Sequence, residues 1–414
     1  MSNRFKIARL GAQGDGVADT ETGPVYVPFA LPGETVTAAR EKDRGALLAV
    51  VEPSSRRIEP ACRHFTECGG CAIQHLQEDD YRAWKRDRVV QPLKARGLDA
   101  GLVGELVACP PRSRRRVALS ARRTEAGMLL GYNRALSHHI VDIAECPVAL
   151  PEIETALPKL RALAALICNT PQPFHLTVTH TETGLDVAAA GAGSLMPAKR
   201  SALTDFIMRE GFARLSADGE IVVEPRKPVI AFGAVVVAPP PGGFLQAVAV
   251  AEQAMAALVS AHLAKAKRVA DLFAGAGAFA LRLAQTSEVH AVEGDAASLA
   301  ALDRGFRFAS GLRRVTHERR DLFRRPMTFK ELNAFDGLAF DPPRAGAEDQ
   351  AKQIARSDVV RVAAVSCNPV TLARDLRILV DGGYKLLSIT PIDQFLWSPH
   401  VEAVALLEKP RKRR

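Results

Sequence analysis

Four apolar runs in the C-terminal part of the chain each stop at a residue with chemistry of its own. Val269-Ala270-Asp271-Leu272 runs into the turn Phe273-Ala274-Gly275-Ala276-Gly277-Ala278, and Val289-His290-Ala291-Val292 stops at Glu293. Gly337-Leu338-Ala339-Phe340 stops at Asp341, held by Pro342 and Pro343, and Val362-Ala363-Ala364-Val365-Ser366 stops at Cys367. From Phe244 onward helical and strand-like segments alternate, which signals an α/β sheet of the Rossmann-like kind. Ligands of such sheets sit at the carboxyl ends of the strands.

At 414 residues the chain is too long for one domain of about 150 residues. Residues 1–55 read as four or five short strands around the glycine-rich turn 11–16, the pattern of a small OB-like β-barrel. Residues 56–238 form a small α+β central unit, with a helix over 157–168 and a strand over 174–179. The proline-rich stretch Pro239-Pro240-Pro241-Gly242-Gly243 opens the third unit, 239–414, as a linker.

The formal charge is +9, which favours a polyanionic partner. Residues 1–55 hold six basic against seven acidic side chains, whereas 56–125 hold fifteen against nine. Within the latter, Arg112, Arg114, Arg115 and Arg116 precede a strand-like stretch and Arg122 and Arg123 follow it. That ribbon suits nucleic-acid phosphates, which take arginine without reading sequence; a solvated charged face is the alternative. Lys409-Pro410-Arg411-Lys412-Arg413-Arg414 reads as a basic tail, phosphate-seeking or solubilising. Neither a signal h-region nor an uncharged apolar stretch of about 18 residues is present, so a cytoplasmic protein without membrane association is expected.

Seven cysteines, an odd number without an export signal, argue against a disulfide scaffold. Three of them, Cys62, Cys68 and Cys71, fall within ten residues around Gly69-Gly70, and Cys146-Pro147 comes much later. Four thiolates in this pattern suit an iron–sulphur cluster. Zinc is the rival, although only Cys68 and Cys71 form a knuckle of the zinc type. Buried structural thiols are the third reading, and Cys109 and Cys168 are read as ordinary core thiols.

The glycine turn and Glu293 about twenty residues later suit an adenosyl cofactor without a pyrophosphate, the acid binding ribose hydroxyls. Cys367 stands before a helix over 371–380, where the dipole favours thiolate, so it is a candidate nucleophile. Glu402 interrupts the apolar strand around Val401 and Ala403. A carboxylate there is either structural or catalytic, since a buried free one is costly.

Taken together these residues closely resemble the RNA uridine-5-methyltransferases, in particular the ribosomal-RNA branch with an N-terminal TRAM domain and an iron–sulphur cluster. The match covers nearly the whole chain. It takes in the cysteine loop with Gln74-His75, Cys146-Pro147, Phe244-Leu245-Gln246 and Asp271-Leu272-Phe273. It continues through Asp341-Pro342-Pro343-Arg344-Ala345-Gly346, the stretch Ser366-Cys367-Asn368-Pro369 with Thr371 to Leu376 after it, and His400-Val401-Glu402. The resemblance implies a TRAM domain over 1–55, an RNA-binding domain over 56–238 and a methyltransferase domain over 239–414. It implies a [4Fe-4S] cluster on Cys62, Cys68, Cys71 and Cys146, and S-adenosylmethionine on Gln246, Phe273, Ala278, Glu293, Asp321 and Asp341. Cys367 becomes the nucleophile at uracil C6 and Glu402 the base at C5, with Asp341 and Arg344 orienting the ring.

This sequence departs from the family pattern in places. Ala274 stands where cysteine is frequent, Ala278 and Asp321 where asparagine is, and Ala247-Val248 replaces the usual Val-Asn. The expected substrate is a uridine of RNA, 23S ribosomal RNA first and transfer RNA second, flipped into the site of a monomeric enzyme. Cytosine-5 methylation is the competing chemistry, but the Asp341-Pro342-Pro343-Arg344 ledge lacks the second cysteine it calls for. A lapsed, non-enzymatic RNA-binding iron–sulphur protein is the remaining alternative, and intact Cys367 and Glu402 speak against it.

Overall fold

The computed structural model describes residues 2–410. Residues 411–414 of the expected basic tail lie outside the described residues. No described helix is long and apolar enough to cross a membrane.

The C-terminal sheet has seven strands in the order Val315–Arg319, Glu288–Glu293, Arg268–Leu272, Gly337–Phe340, Arg361–Ser366, Glu402–Glu408, Lys385–Ile392. The first five are mutually parallel. They are apolar along their length because helices cover both faces, as parallel sheets require. Ala270, Leu272, Leu338, Phe340, Val362 and Ala364 share one core with Leu372, Leu376 and Leu379, the buried stripe of the helix Pro369–Asp381. Strand order reverses on either side of Arg268–Leu272, and a crevice opens there at the carboxyl edge.

Glu402–Glu408 runs against its neighbours, paired to Arg361–Ser366 on one side and Lys385–Ile392 on the other. Its first residue therefore lies at the edge where the parallel strands end. Ser366 pairs with Ala403, so Cys367 and Glu402 are the next positions outward on neighbouring strands.

Residues 2–52 form a six-stranded, mostly antiparallel sheet in which Gly23–Val27 pairs in parallel with Arg44–Glu52. Ile7, Val25, Val27 and Val36 are its core. The stretch 5–10 is not one strand. Ile7 N–H donates to Glu34 O at 2.9 Å and Ala8 N–H to Val17 O at 2.8 Å, and this change of partner divides Ser2–Lys6 from Arg9–Leu10.

A second seven-stranded sheet runs from Arg116–Thr124 to Glu220–Val223, with the helices Leu157–Ile167 and Pro197–Glu210 packed on it. The helix Glu78–Ala95 does not join that core. Val89, Val90 and Leu93 lie with Leu376 and Leu379 in the core of the C-terminal sheet, and Val103 and Val107 bridge to Ile389 and Ile392 of its edge strand. Nor does the proline-rich stretch hang free: buried Arg214 Nη2 donates to Pro239 O at 3.0 Å.

Candidate functional site

The crevice is a cavity of about 1080 Å³. Its walls include Gln246, Phe273, Ala278, Glu293, Asp321 and Asp341, every residue expected to face the cofactor, together with Cys367 and Glu402. The first strand turns sharply at Phe273, whose φ of +62° is unusual for an aromatic residue; such backbone strain clusters at functional sites. Gly277, at φ +97°, is needed for a second reason, since a Cβ there would meet Leu302 at 2.9 Å and Leu281 at 3.0 Å. Glu293 fixes the loop with both oxygens. Gly275 N–H donates to its Oε2 at 2.9 Å and Asp295 N–H to its Oε1 at 2.8 Å. A carboxylate has about four lone-pair positions, so it keeps capacity for hydroxyl donors. Asp321, at the mouth, caps its own turn by accepting from Phe323 N–H at 3.0 Å.

Three acids in this region are held toward their neutral forms. Burial pushes Asp271 up to about 8 and Asp341 up to about 7, against a hydrogen bond from Gln246. Glu402 stands well above the carboxylate range because of burial and then the proximity of Asp341, with a bond from Gln394 opposing them. Two glutamines join these groups. Gln394 Nε2 donates to Glu402 Oε1 at 3.0 Å and to Gln246 Oε1 at 2.8 Å, and Gln246 Nε2 donates to Asp341 Oδ2 at 3.0 Å. Glu402 Oε2 has no hydrogen-bond partner, an acceptor position left for something that enters the cavity.

Cys367 differs from expectation. Rather than tending toward thiolate, it is pushed up to about 11 by burial and by Glu402 and Asp341, with Arg344 acting in the opposite sense. The helix dipole is spent elsewhere: Asn368 caps the helix by accepting from Val370 N–H at 3.2 Å, and Cys367 lies one residue outside the cap.

Cys62, Cys68, Cys71 and Cys146 line a second cavity of about 260 Å³. Gly69 is required there by a close approach. Its Cβ would fall 2.6 Å from Asn133 O and 2.7 Å from Ala135 N, so a glycine lets the cysteine loop press on the hairpin of the central sheet. Gly69 N–H donates to that same Asn133 O at 3.0 Å. Cys146 is carried to the cavity by main-chain bonds to the arginine run, Arg112 N–H to Pro147 O at 2.9 Å and Arg114 N–H to Val148 O at 3.0 Å. Burial pushes the Cys71 thiol up to about 12. Among the described residues no three Cys, His, Asp or Glu side chains are gathered closely enough to hold a single metal ion.

The arginine ribbon is divided. Arg112 is exposed and pairs with Glu154 at 2.7 Å, and Arg122 and Arg123 are exposed. Arg114 lies over the Phe395 ring, 5.7 Å from its centroid, and the Nε of Arg116 is buried without a partner. Arg115 turns inward to Glu252 at 2.6 Å. The strand that follows draws Val117, Leu119 and Ala121 into its core, and the arginines just before it are caught at the junction with the C-terminal sheet.

Sequence reasoning missed Gln394 and the clasp behind it. Lys85, fully buried, pairs with Asp393 at 2.7 Å and donates to Phe395 O at 2.9 Å and to His400 O. Tyr81 OH donates to Asp393 Oδ2 at 2.6 Å. Trp397 O accepts from Ala72 N–H at 2.8 Å, so the segment before Glu402 is fastened to both the Glu78–Ala95 helix and the cysteine loop. A lysine amid the otherwise apolar buried positions of that helix was the one signal available.

A family model described as tRNA (Uracil-5-)-methyltransferase matches residues 236–410. An uncharacterised RNA methyltransferase of Mesorhizobium japonicum is 68% identical over 414 residues, all of both chains. The 23S rRNA (uracil(1939)-C(5))-methyltransferase RlmD of Pectobacterium atrosepticum is 33% identical, over 97% of this chain and 92% of that one. In fold the chain is similar to the crystal structure of Pyrococcus abyssi tRNA (uracil-54, C5)-methyltransferase in complex with S-adenosyl-L-homocysteine. The TM-score is 0.75 at 23% identity, over 98% of this chain and 100% of that one.

Proposed function

The chain belongs to the S-adenosylmethionine-dependent RNA (uracil-5-)-methyltransferases, and on that premise we propose that it methylates C5 of a uridine in 23S ribosomal RNA through a covalent Cys367 adduct. One observation carries the reading. Cys367 and Glu402 are brought side by side by the pairing of Ser366 with Ala403, on a cavity that also holds all six residues expected at the cofactor. Its volume of about 1080 Å³, at the upper end of the range for ligand sites, leaves room for a base beside the cofactor.

S-Adenosylmethionine, when bound, supplies an electrophilic methyl group. Gln246, Phe273, Glu293 and Asp341 suit its binding; Ala278 contributes backbone only, and Asp321 stands at the mouth. The chemistry of the chain itself begins at Cys367. Its thiol gives up a proton to solvent, and the thiolate adds to C6 of a uracil drawn out of its stack, which makes C5 nucleophilic. Arg344, the neighbour that favours the thiolate, and Asp341 orient the ring. After C5 has taken the methyl group, Glu402 removes the remaining C5 proton, and Cys367 leaves by β-elimination. Glu402 must first lose its own proton to solvent; once ionised, a carboxylate with a raised proton affinity is suited to receive the one from C5.

The four-cysteine cavity is read as the seat of a [4Fe-4S] cluster. Four thiols that line one cavity, three from a single loop and one from a remote segment, are the ligand set that such a cluster takes. Methyl transfer to an enolate-like carbon is a polar two-electron step, so the cluster's role is to brace the RNA-facing surface. Residues 2–52 are read as the TRAM domain, and exposed Arg112, Arg122 and Arg123 as phosphate contacts.

The ribosomal target is supported by the 33% identical relative named for 23S rRNA, aligned over nearly all of both chains. Release of tritium from C5-labelled uridine RNA tests the reaction, and mapping 5-methyluridine in 23S and transfer RNA of a deletion strain tests the target. Label retained at C5 during methyl incorporation sinks the chemistry. Loss of the mark from transfer RNA alone moves the substrate.

A further inference from the structure

Glu252, in the first turn of the helix Ala249–Leu263, is 1% exposed and has an arginine on each oxygen. Arg115 Nη2 donates to Oε2 at 2.6 Å and Arg282 Nη2 to Oε1 at 2.8 Å. Each arginine has a second hold. Arg115 Nε donates to Gln246 O at 3.1 Å, and its main-chain N–H to Ala247 O at 2.8 Å. Arg282 Nη1 donates to Ala278 O at 2.6 Å, and its guanidinium lies 5.3 Å from the centroid of Phe232. Gln246 and Ala278 line the large cavity, as does Glu252. Arg115 is in turn anchored in the central unit, where its own carbonyl accepts from His180 N–H at 2.7 Å.

Burying two guanidinium groups with one carboxylate is a poor way to gain stability, since apolar side chains of similar volume commonly do as well. What the arrangement adds is direction, because a planar fork fixes two acceptors at once. We propose that Arg115, Glu252 and Arg282 form a positioning triad for the cofactor pocket, through which the central unit sets the place of Gln246 while the same carboxylate sets the Ala278 loop. This rests on the reading of the large cavity as the S-adenosylmethionine site. Arg115 thereby leaves the RNA-facing ribbon and becomes part of the support of the methyl-donor pocket. Gln246 carries the effect onward, through its bonds to Asp341 and Gln394.

The test measures S-adenosylmethionine affinity by calorimetry and RNA affinity at several salt concentrations, on the full chain and its variants Arg115→Gln, Arg115→Lys and Glu252→Gln. Arg115→Gln is expected to weaken cofactor binding about tenfold, the lower end of what losing a residue behind a direct ligand contact costs, and to leave RNA affinity and its salt slope as in the wild type. Glu252→Gln keeps the shape but offers one acceptor where two arginines donate, so it is expected to weaken cofactor binding as well and to lower the melting temperature. Arg115→Lys is expected to fail to restore binding, because an ammonium cannot span Gln246 O and Glu252 together. Full cofactor affinity in Arg115→Gln with reduced RNA affinity overturns the proposal and returns Arg115 to the ribbon. Rescue by Arg115→Lys also overturns it, in favour of plain charge. A wild-type chain that does not bind S-adenosylmethionine removes the cofactor reading itself, and the triad's role with it.

Discussion

The cavity of about 1080 Å³ hangs on the ends of strands in one sheet, whereas the cavity of about 260 Å³ is assembled from the cysteine loop 62–71, Cys146 and the segment 395–400. In the first, main-chain pairing fixes Glu293, Asp341, Cys367 and Glu402 to within a residue, while Gln246 is held from the central unit by Arg115. In the second, position depends on loop contacts such as Gly69 against Asn133, and the side chains themselves must be tied together by whatever they bind. The strand-end site should therefore survive as a pocket when any one of its side chains is cut, and the loop site should not.

The sharpest test of the first half is Cys367→Ala. Methyl transfer is expected to fall by about a millionfold, the scale on which deletion of a covalent nucleophile acts, while calorimetry finds S-adenosylmethionine binding unchanged. Equal loss of both would show that the pocket does depend on this residue. Glu402→Gln is expected to slow turnover by about 10³-fold yet permit thiolate attack and methylation, so a protein–RNA adduct accumulates and survives denaturing electrophoresis. Without an adduct, another group is the base.

Asp271 extends the comparison to pH. Its folded-state value of about 8 lies above the unfolded value of about 4, so the folded protein binds the extra proton. The group's stabilisation is complete below about pH 4 and is lost as pH rises toward about 8, at up to about 1.4 kcal/mol per pH unit. The advantage of Asp271→Asn over the wild type in denaturant melts is expected to grow across that window and to be flat below it. A constant offset would mean that Asp271 is not held neutral. The smallest effect belongs to the loop site. Cys68→Ser is expected to bleach the brown colour of anaerobically prepared protein and to cost about 2 kcal/mol, lowering Tm by about 5 °C. RNA affinity is expected to fall while S-adenosylmethionine affinity stays within about twofold. A colourless wild type with stoichiometric zinc would reassign the metal and leave the large cavity untouched.

The same contrast governs what the sequence made legible. Glu293, Asp341, Cys367 and Glu402 could be singled out because each closes or opens an apolar run, and strands put such residues at a common edge, whereas Gln246, Phe273, Ala278 and Asp321 were named through the family resemblance alone. The helices over 157–168 and 371–380 and the strand over 174–179 reappear with ends shifted by a residue or two. Residues whose meaning depends on distant partners were illegible. Gln394 matters through Gln246, 148 positions away, and no local pattern marks such a pairing. The arginine run misled for the same reason, since composition cannot tell Arg112, facing water, from Arg115, turned toward Glu252. The state of Cys367 also escaped, because burial and two carboxyl neighbours outweigh a helix end that lies one residue beyond reach.

The strand Glu402–Glu408 follows Lys385–Ile392 in the chain yet lies inside it in the sheet. Until it arrives, Arg361–Ser366 and Lys385–Ile392 each expose a row of unpaired amides and carbonyls, with an empty slot one strand wide between them. During synthesis such edges invite foreign strands and aggregation. The clasp of Lys85 and Tyr81 on Asp393 holds the chain at the turn just ahead of that slot. One strand thus both closes the sheet and sets Glu402 beside Cys367, so the element that removes two exposed edges is also the one that completes the reactive pair.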